Sequence, residues 1–415
     1  MNKLFFVAIT TVLFLLIDLY IYQALKVVTG GIGPVWRRLI FGIYWFITML
    51  AISGLWFYNY ANPDGLANWL RRFILIGIFI IYFSKLFTLV FLMLDDIIRL
   101  FRWVGSLFTT DKASGIMGKS IPRSEFLVKT AIVAGTIPLL AMGYGIISGA
   151  HDYRIRRHRI VLPNLPKAFD GIKLLQLSDI HTGSFFNKKA VKGGIEMAIN
   201  EKPDLVFFTG DLVNNETDEV NGYYNIFNKV HAPLGVFSTL GNHDYGDYHR
   251  WSSPQAKKDN LASMHVAHKE LGWDLLNNKN RYIEVDGEKI CVIGVENWGA
   301  GRFTKYGKLD EACVGTDDAP VKLLLSHDPS HWDAQVRPQH PEIDMMFAGH
   351  THGFQFGVEI GNFKWSPAQY AYKQWAGLYE AGDQKLYVNR GFGFIGYPGR
   401  VGIPPEITVF ELVRA

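Results

Sequence analysis

The chain has 415 residues, 49% hydrophobic and 14% aromatic, an apolar balance for a protein of this size. Its 42 basic and 38 acidic residues leave a formal charge of +4, too balanced for charge alone to argue a nucleic-acid partner. The two cysteines, Cys291 and Cys313, have no CxxC spacing and lie outside every motif below, so no thiolate metal ligand is expected.

The apolar excess sits in residues 1–150, which read as a membrane domain. Four stretches there are long enough to cross a bilayer: about Leu4 to Leu25, Leu39 to Tyr60, Phe73 to Leu94 and Phe126 to Ile147. Trp36, Trp45, Trp56, Tyr58, Tyr60, Trp69 and Trp103 gather at or near their ends, as interfacial anchors do. The first stretch lacks a small-residue cleavage site and precedes three more spans, so it reads as a helix and not as a signal peptide. Asp18 and Lys85 fall inside spans, where ionisable groups are costly unless paired or facing a cavity. They are the only hint of a transport path, and four spans without internal repeats argue against one.

Orientation rests on weaker signals. Lys26, Arg37, Arg38, Arg99, Arg102, Lys112, Lys119 and Arg123 fall on one side; Lys3, Arg71, Arg72, Arg154, Arg156, Arg157 and Arg159 fall on the other, nearly a tie. The run from Pro122 to Lys129 resembles a degraded twin-arginine export signal, with Ser124 where a second Arg would stand. It places the C-terminal part outside the cytoplasm, in a multi-pass protein of the cell (inner) membrane. Residues 151–168 read as a linker at the membrane surface, because His151 to Arg159 is too polar to continue the fourth span and Pro163 and Pro166 follow. Its arginines are either solvated or in touch with lipid phosphates.

Residues 169–415 alternate short apolar runs with longer amphipathic ones, the α/β pattern. Ile172 to Leu177 ends in Ser178-Asp179-Ile180-His181. After a helix over Lys188 to Asn200, Leu205 to Phe208 ends in Thr209-Gly210-Asp211. After a second helix, Val220 to Val230, the run Val236 to Leu240 ends in Gly241-Asn242-His243-Asp244. A helix is expected from Pro254, with His249, His265 and His268 as surface histidines; Arg281 to Val295 reads as a hairpin turning at Asp286-Gly287. The glycine- and aromatic-rich loop Glu296 to Phe303 suits a substrate-facing or mobile surface role. Val321 to Leu325 ends in Ser326-His327-Asp328, and Ile343 to Ala348 ends in Gly349-His350-Thr351-His352-Gly353. A β-rich tail with Arg390, Gly391 and Arg400 in loops closes on the strand Ile407 to Leu412.

Open α/β sheets place their sites at the C-terminal ends of strands. Two divalent cations close together need hard oxygen and borderline nitrogen ligands, with one carboxylate able to bridge. Asp179, His181, Asp211, Asn242, His327, His350 and His352 supply that set from five loops. Asp-x-His, Gly-Asp, Gly-Asn-His-Asp, a lone His after a strand and Gly-His-x-His, in that order, resemble the calcineurin-like metallophosphoesterase superfamily over Ile172 to Leu412. With its four spans the chain is similar to membrane-anchored bacterial members.

The resemblance implies a four-layer α-β-β-α sandwich preceded by four transmembrane helices, and two divalent metal ions, manganese, iron or zinc. It assigns Asp179, His181 and His352 to one ion, Asn242, His327 and His350 to the other, and Asp211 to both. A hydroxide between the ions would attack phosphorus while His243 protonates or steadies the leaving oxygen and Asp244 orients that region. Gly349 and Gly353 are expected to let the backbone turn sharply beside the ions. The family's second motif usually carries another Asp three residues after the bridging one, where this chain has Asn214, which weakens the acid role of His243; Phe354 replaces a common glycine. The implied partners are a lipid bilayer and a phosphodiester or pyrophosphate substrate, lipid-linked or of the nucleotide-sugar kind. The alternative is a metal-binding regulatory protein with weakened catalysis.

Overall fold

A computed structural model describes residues 2–60, 68–108, 123–361 and 363–415. Lys112, Lys119, Pro122 and the side chains of Trp69 and Arg72 lie outside the described residues. The chain divides into two units, residues 1–143 and 144–415.

The first unit holds four helices long and apolar enough to cross a membrane. They are α1 (Lys3–Val28), α2 (Pro34–Tyr60), α3 (Asn68–Phe108) and α4 (Glu125–Ile147), the last running on across the division. Helix α3 outruns the apolar stretch read from the sequence, and just past that stretch Arg99 pairs with Asp96 at 2.7 Å. Arg123, read above as the remnant of an export signal, lies 3.1 Å from Asp96 and 3.5 Å from Asp95. Asp18 is fully buried, accepts hydrogen bonds from Tyr44 at 2.7 Å and Tyr82 at 2.8 Å, and pairs with Lys85. A carboxylate satisfied in this way ties α1 to α2 and α3 and stands as a structural clamp.

The second unit opens with a correction. Arg154–Leu162, read as part of a linker, is strand β1, in parallel register with β14 (Glu406–Arg414) over nine residue pairs. Its polar composition misled because it is an edge strand with a wet outer face, and three of its arginines are engaged by protein: Arg156 with Glu359 and Glu406, Arg157 with Glu201, Arg154 with Asp152. The remaining strands are β2 (Lys173–Leu177), β3 (Leu205–Phe208), β4 (Val236–Ser238), β5 (Asp274–Leu275), β6 (Lys279–Val285), β7 (Glu288–Gly294), β8 (Lys322–Leu325), β9 (Met345–Ala348), β10 (Val358–Ile360), β11 (Phe363–Trp365), β12 (Gly377–Ala381) and β13 (Gln384–Val388). They form two six-stranded sheets, ordered β1-β14-β2-β3-β4-β5 and β12-β13-β9-β8-β7-β6, and a separate hairpin, β10-β11.

Alternation along the strands sorts the core into layers. Leu174, Leu205, Phe207 and Phe237 of the first sheet meet Val292, Leu323, Leu325, Met345 and Phe347 of the second. Leu175, Leu177, Val206 and Phe208 point the other way, onto Val191, Ile195 and Ala198 of helix α5 (Lys188–Asn200) and Met264 of the helix Pro254–Glu270. Leu324, Met346 and Ala348 cover the outer face of the second sheet with Trp332 and Val336. The result is the four-layer α-β-β-α sandwich. Two local readings need correction. Val220 to Val230 begins at the last residue of a 3₁₀ turn, Thr217–Val220, and holds only a four-residue helix, Tyr224–Phe227. His268 is not a surface histidine: it is fully buried with Nδ1 2.9 Å from Ser238 Oγ.

Candidate metal centre

The parallel strands β2, β3 and β4 of one sheet and β8 and β9 of the other empty into loops that meet at one end of the sandwich. These loops turn abruptly. Asp179, His181, Asp211, His350 and His352 all have positive φ, between 51° and 71°, a left-handed conformation that L residues adopt at a cost of about 1 kcal/mol each or more. Strain concentrated on the very residues that carry nitrogen and carboxylate donors marks a functional site. Gly353 shares this conformation, with φ +53°, but Gly349 is needed for another reason: a Cβ there would stand 2.0 Å from Ser178 Oγ and 2.1 Å from Asp179 Oδ2.

Two donor groups result. In the first, His181 Nε2 lies 3.0 Å from His352 Nε2, and His352 Nε2 lies 3.2 Å from Asp179 Oδ1. In the second, His327 Nε2 lies 3.3 Å from His350 Nδ1 and 3.1 Å from Asp211 Oδ2. The same Asp211 Oδ2 lies 3.5 Å from His181 Nε2, so this oxygen stands between the two groups. Next to His243 in the β4 loop, Asn242 has its carboxamide nitrogen spent on Tyr248 Oη at 2.9 Å, leaving its buried Oδ1 with no partner. Converging imidazole nitrogens and an orphaned buried carbonyl oxygen are what ligands of a cation require, so the residues fit a pair of ions.

The far sides of the rings are fixed. His181 Nδ1 faces the carbonyl of Val213 at 3.2 Å, and His327 Nδ1 that of Thr209 at 2.7 Å. Each therefore donates from Nδ1 to a carbonyl and turns Nε2 inward. His350 is reversed, with Nδ1 inward and Nε2 hydrogen-bonded to Tyr372 Oη at 2.7 Å. Behind His352 lies Arg400, fully buried, its Nη2 3.3 Å from His352 Nδ1 and 2.8 Å from the carbonyl of Arg390. Burial lowers His181 to about 3 and His350 to about 4, keeping both in the neutral form that binds metals. His327 is the exception: burial disfavours its charge, but the Asp211 carboxylate outweighs burial and pushes it up to about 10. Asp179 is raised to about 7, by burial first and by Asp211 second, with His327 opposing.

His243 and Asp244 differ in what they touch. The His243 ring is half-buried, 5.1 Å from the His181 ring, with Nδ1 2.7 Å from the carbonyl oxygen of Asn214. Its backbone N–H donates to Asp211 Oδ1 at 2.9 Å. Asp244 is fully buried and accepts from the backbone N–H groups of Gly241, Asp211, Leu212 and Val213 at 2.8–3.2 Å. It binds the β3 loop to the β4 loop. Tyr372, Tyr248 and Arg400 escaped the sequence motifs; Tyr372 and Arg400 sit in irregular segments, where no periodicity marks a residue that supports a ligand from behind. Cys313, His340 and Glu342 form a further group of possible ligands away from this centre.

A family model described as "Probable Calcineurin-like phosphoesterase, transmembrane domain" matches residues 2–150, and one described as "Calcineurin-like phosphoesterase" matches residues 172–354. The metallophosphoesterase YkuE of Bacillus subtilis (strain 168) is 30% identical over 302 residues, covering 71% of this chain and 98% of that protein. Phosphodiesterase YaeI of Escherichia coli (strain K12) is 27% identical over 299 residues, covering 71% and 100%. A transmembrane protein with metallophosphoesterase domain from Danio rerio is 27% identical over 298 residues, covering 69% of this chain and 63% of that one. The chain belongs to the calcineurin-like metallophosphoesterases, metal-dependent phosphoester hydrolases, and carries its catalytic domain behind four transmembrane helices.

Proposed function

We propose that the protein is a two-metal phosphodiesterase or pyrophosphatase acting on a lipid-linked or nucleotide-sugar phosphoester. Asp179, His181 and His352 would hold one ion, Asn242, His327 and His350 the other, and Asp211 both. The observation that carries this reading is the position of Asp211 Oδ2 between the two histidine groups. Manganese, iron or zinc bound there would supply Lewis acidity to the phosphoryl oxygens and activate water as the nucleophile.

The chain's own residues do the rest. The carbonyl of Asn214 holds the His243 ring, so that in its charged form Nε2 carries a proton for the leaving oxygen. Asp244 keeps the Asp211 and Asn242 loops in register, the carbonyls of Thr209 and Val213 orient His327 and His181, and Tyr372 orients His350. The Asn214 carbonyl orients the His243 ring, which supports the catalytic reading over a regulatory one.

We further place the catalytic domain outside the cytoplasm, on the export-signal resemblance before the fourth span. A reporter fused after Ala415 tests this, and cytoplasmic reporter activity overturns it. The reaction is tested on the full chain in detergent with manganese and two chromogenic esters, bis(p-nitrophenyl) phosphate and p-nitrophenyl phosphate. The diester should be turned over faster, and Asp211→Asn should abolish turnover; a chain equally active with Asp211→Asn overturns the reading.

A further inference from the structure

The β10-β11 hairpin is built inside out. In an antiparallel pair, directly opposed residues share a face. Glu359 stands opposite Lys364, while Ile360 stands opposite Phe363 and Val358 opposite Trp365. A hairpin lying on a domain ordinarily buries its apolar face and wets its polar one. Here the polar face is the one fastened down: Glu359 takes Arg390 at 2.6 Å and also pairs with Arg156, and Lys364 Nζ donates to the carbonyl of Ala376 at 2.7 Å. The apolar face is turned out, with Ile360 73% and Phe363 62% exposed. Among the described residues this hairpin joins neither large sheet.

Exposed aromatic residues also stand next to metal-site residues in the chain. Phe354, two residues past the ligand His352, is 47% exposed, and Tyr370, two residues before the Tyr372 that holds His350, is 79% exposed. Tyr372 and Asp328, both beside His350, line a cavity of about 520 Å³ that is large enough for a phosphate head group. Several large apolar groups exposed on one hairpin and on the segments beside the ligands point to a binding surface. The mixture of Ile, Phe and Tyr suits a membrane interface, where one end of an aromatic ring is apolar and the other wet. A chain with four membrane helices carries its own bilayer, which singles out the occupant.

We propose that the β10-β11 hairpin, with Phe354 and Tyr370, enters the interfacial layer of a lipid bilayer and delivers a membrane-borne phosphoester to the metal centre. The delivery step rests on the two-metal reading above; the insertion does not. The test uses the full chain in lipid nanodiscs, with Cys291→Ala and Cys313→Ser and a nitroxide on Ile360→Cys; Val266→Cys, 52% exposed on the helix Pro254–Glu270, serves as the reference. Oxygen should relax the label at position 360 more than a water-soluble nickel chelate does, with the reverse order at position 266. The same order at both positions, or a label shielded from both agents as under a protein partner, overturns the proposal.

Turnover separates the two readings. Hexadecyl p-nitrophenyl phosphate in the nanodisc and ethyl p-nitrophenyl phosphate in solution present one reacting centre in two settings. Ile360→Glu with Phe363→Glu should slow the hexadecyl ester by about tenfold or more and leave the ethyl ester within about twofold. Equal slowing of both, or of neither, overturns delivery from the leaflet. A wild-type chain inert toward both esters overturns the two-metal reading, and with it delivery, while the label depths still decide insertion.

Discussion

His243 Nδ1 lies 2.7 Å from the backbone carbonyl oxygen of Asn214. The orientation of this imidazole is therefore set by main chain, and the Asn214 side chain is turned elsewhere, its Oδ1 accepting from Ser184 Oγ at 3.1 Å. Asn214→Ala should keep kcat within about threefold of wild type, whereas His243→Ala should lower it by about 10²- to 10⁴-fold. Steady-state kinetics on the diester check both, and comparable losses would show that the side chain matters after all.

Asp244 is a fastening. Removing a buried carboxylate that accepts four backbone N–H groups leaves those donors unpaired, and Asp244→Ala should destabilise the domain by about 3–5 kcal/mol. Denaturant unfolding of the full chain in detergent measures it. A variant with unchanged stability and lost turnover would assign Asp244 to the chemistry instead.

Burial lowers His268 from the ordinary 6.5 to about 3. Below the ordinary value the unfolded chain takes up a proton that the folded chain refuses, so the stabilising effect is complete above about pH 6.5 and is lost as the pH falls toward 3. This one group gives a slope of about 1.4 kcal/mol per pH unit at most. In His268→Gln the acid-side slope between about pH 6 and 4 should be shallower by up to that amount. Parallel wild-type and variant curves would contradict it.

In the membrane unit, Lys85→Leu strands the Asp18 carboxylate among apolar helices and should cost about 3–5 kcal/mol. Asp18→Leu combined with Lys85→Leu should recover part of that loss, because no charge is left unpaired. Unfolding in detergent distinguishes the clamp from a transport role, which predicts intact stability in both.

Much of this was legible in the sequence because apolar runs of four to six residues ended in Asp, His or Asn at β2, β3, β4, β8 and β9. Helix α5 and the hairpin β6-β7 were equally plain, the first from its period and the second from Asp286-Gly287. What escaped depends on contacts distant in the chain. β1 was hidden because its arginines look like a solvated run until Glu359 and Glu406 arrive to pair Arg156 and Glu201 to pair Arg157. His268 was hidden because its partner Ser238 lies 30 residues away, and the role of Asn214 because a carbonyl oxygen has no signature in a side-chain code.

The most direct test of the central claim is turnover followed against bound metal on one preparation of the metal-stripped full chain. Two equivalents of manganese should bind, with turnover appearing as the second is filled. His350→Ala and His352→Ala should each retain one equivalent and lose turnover. Full turnover at one equivalent or none, or loss of both ions from either variant, would contradict a two-metal centre divided between His350 and His352.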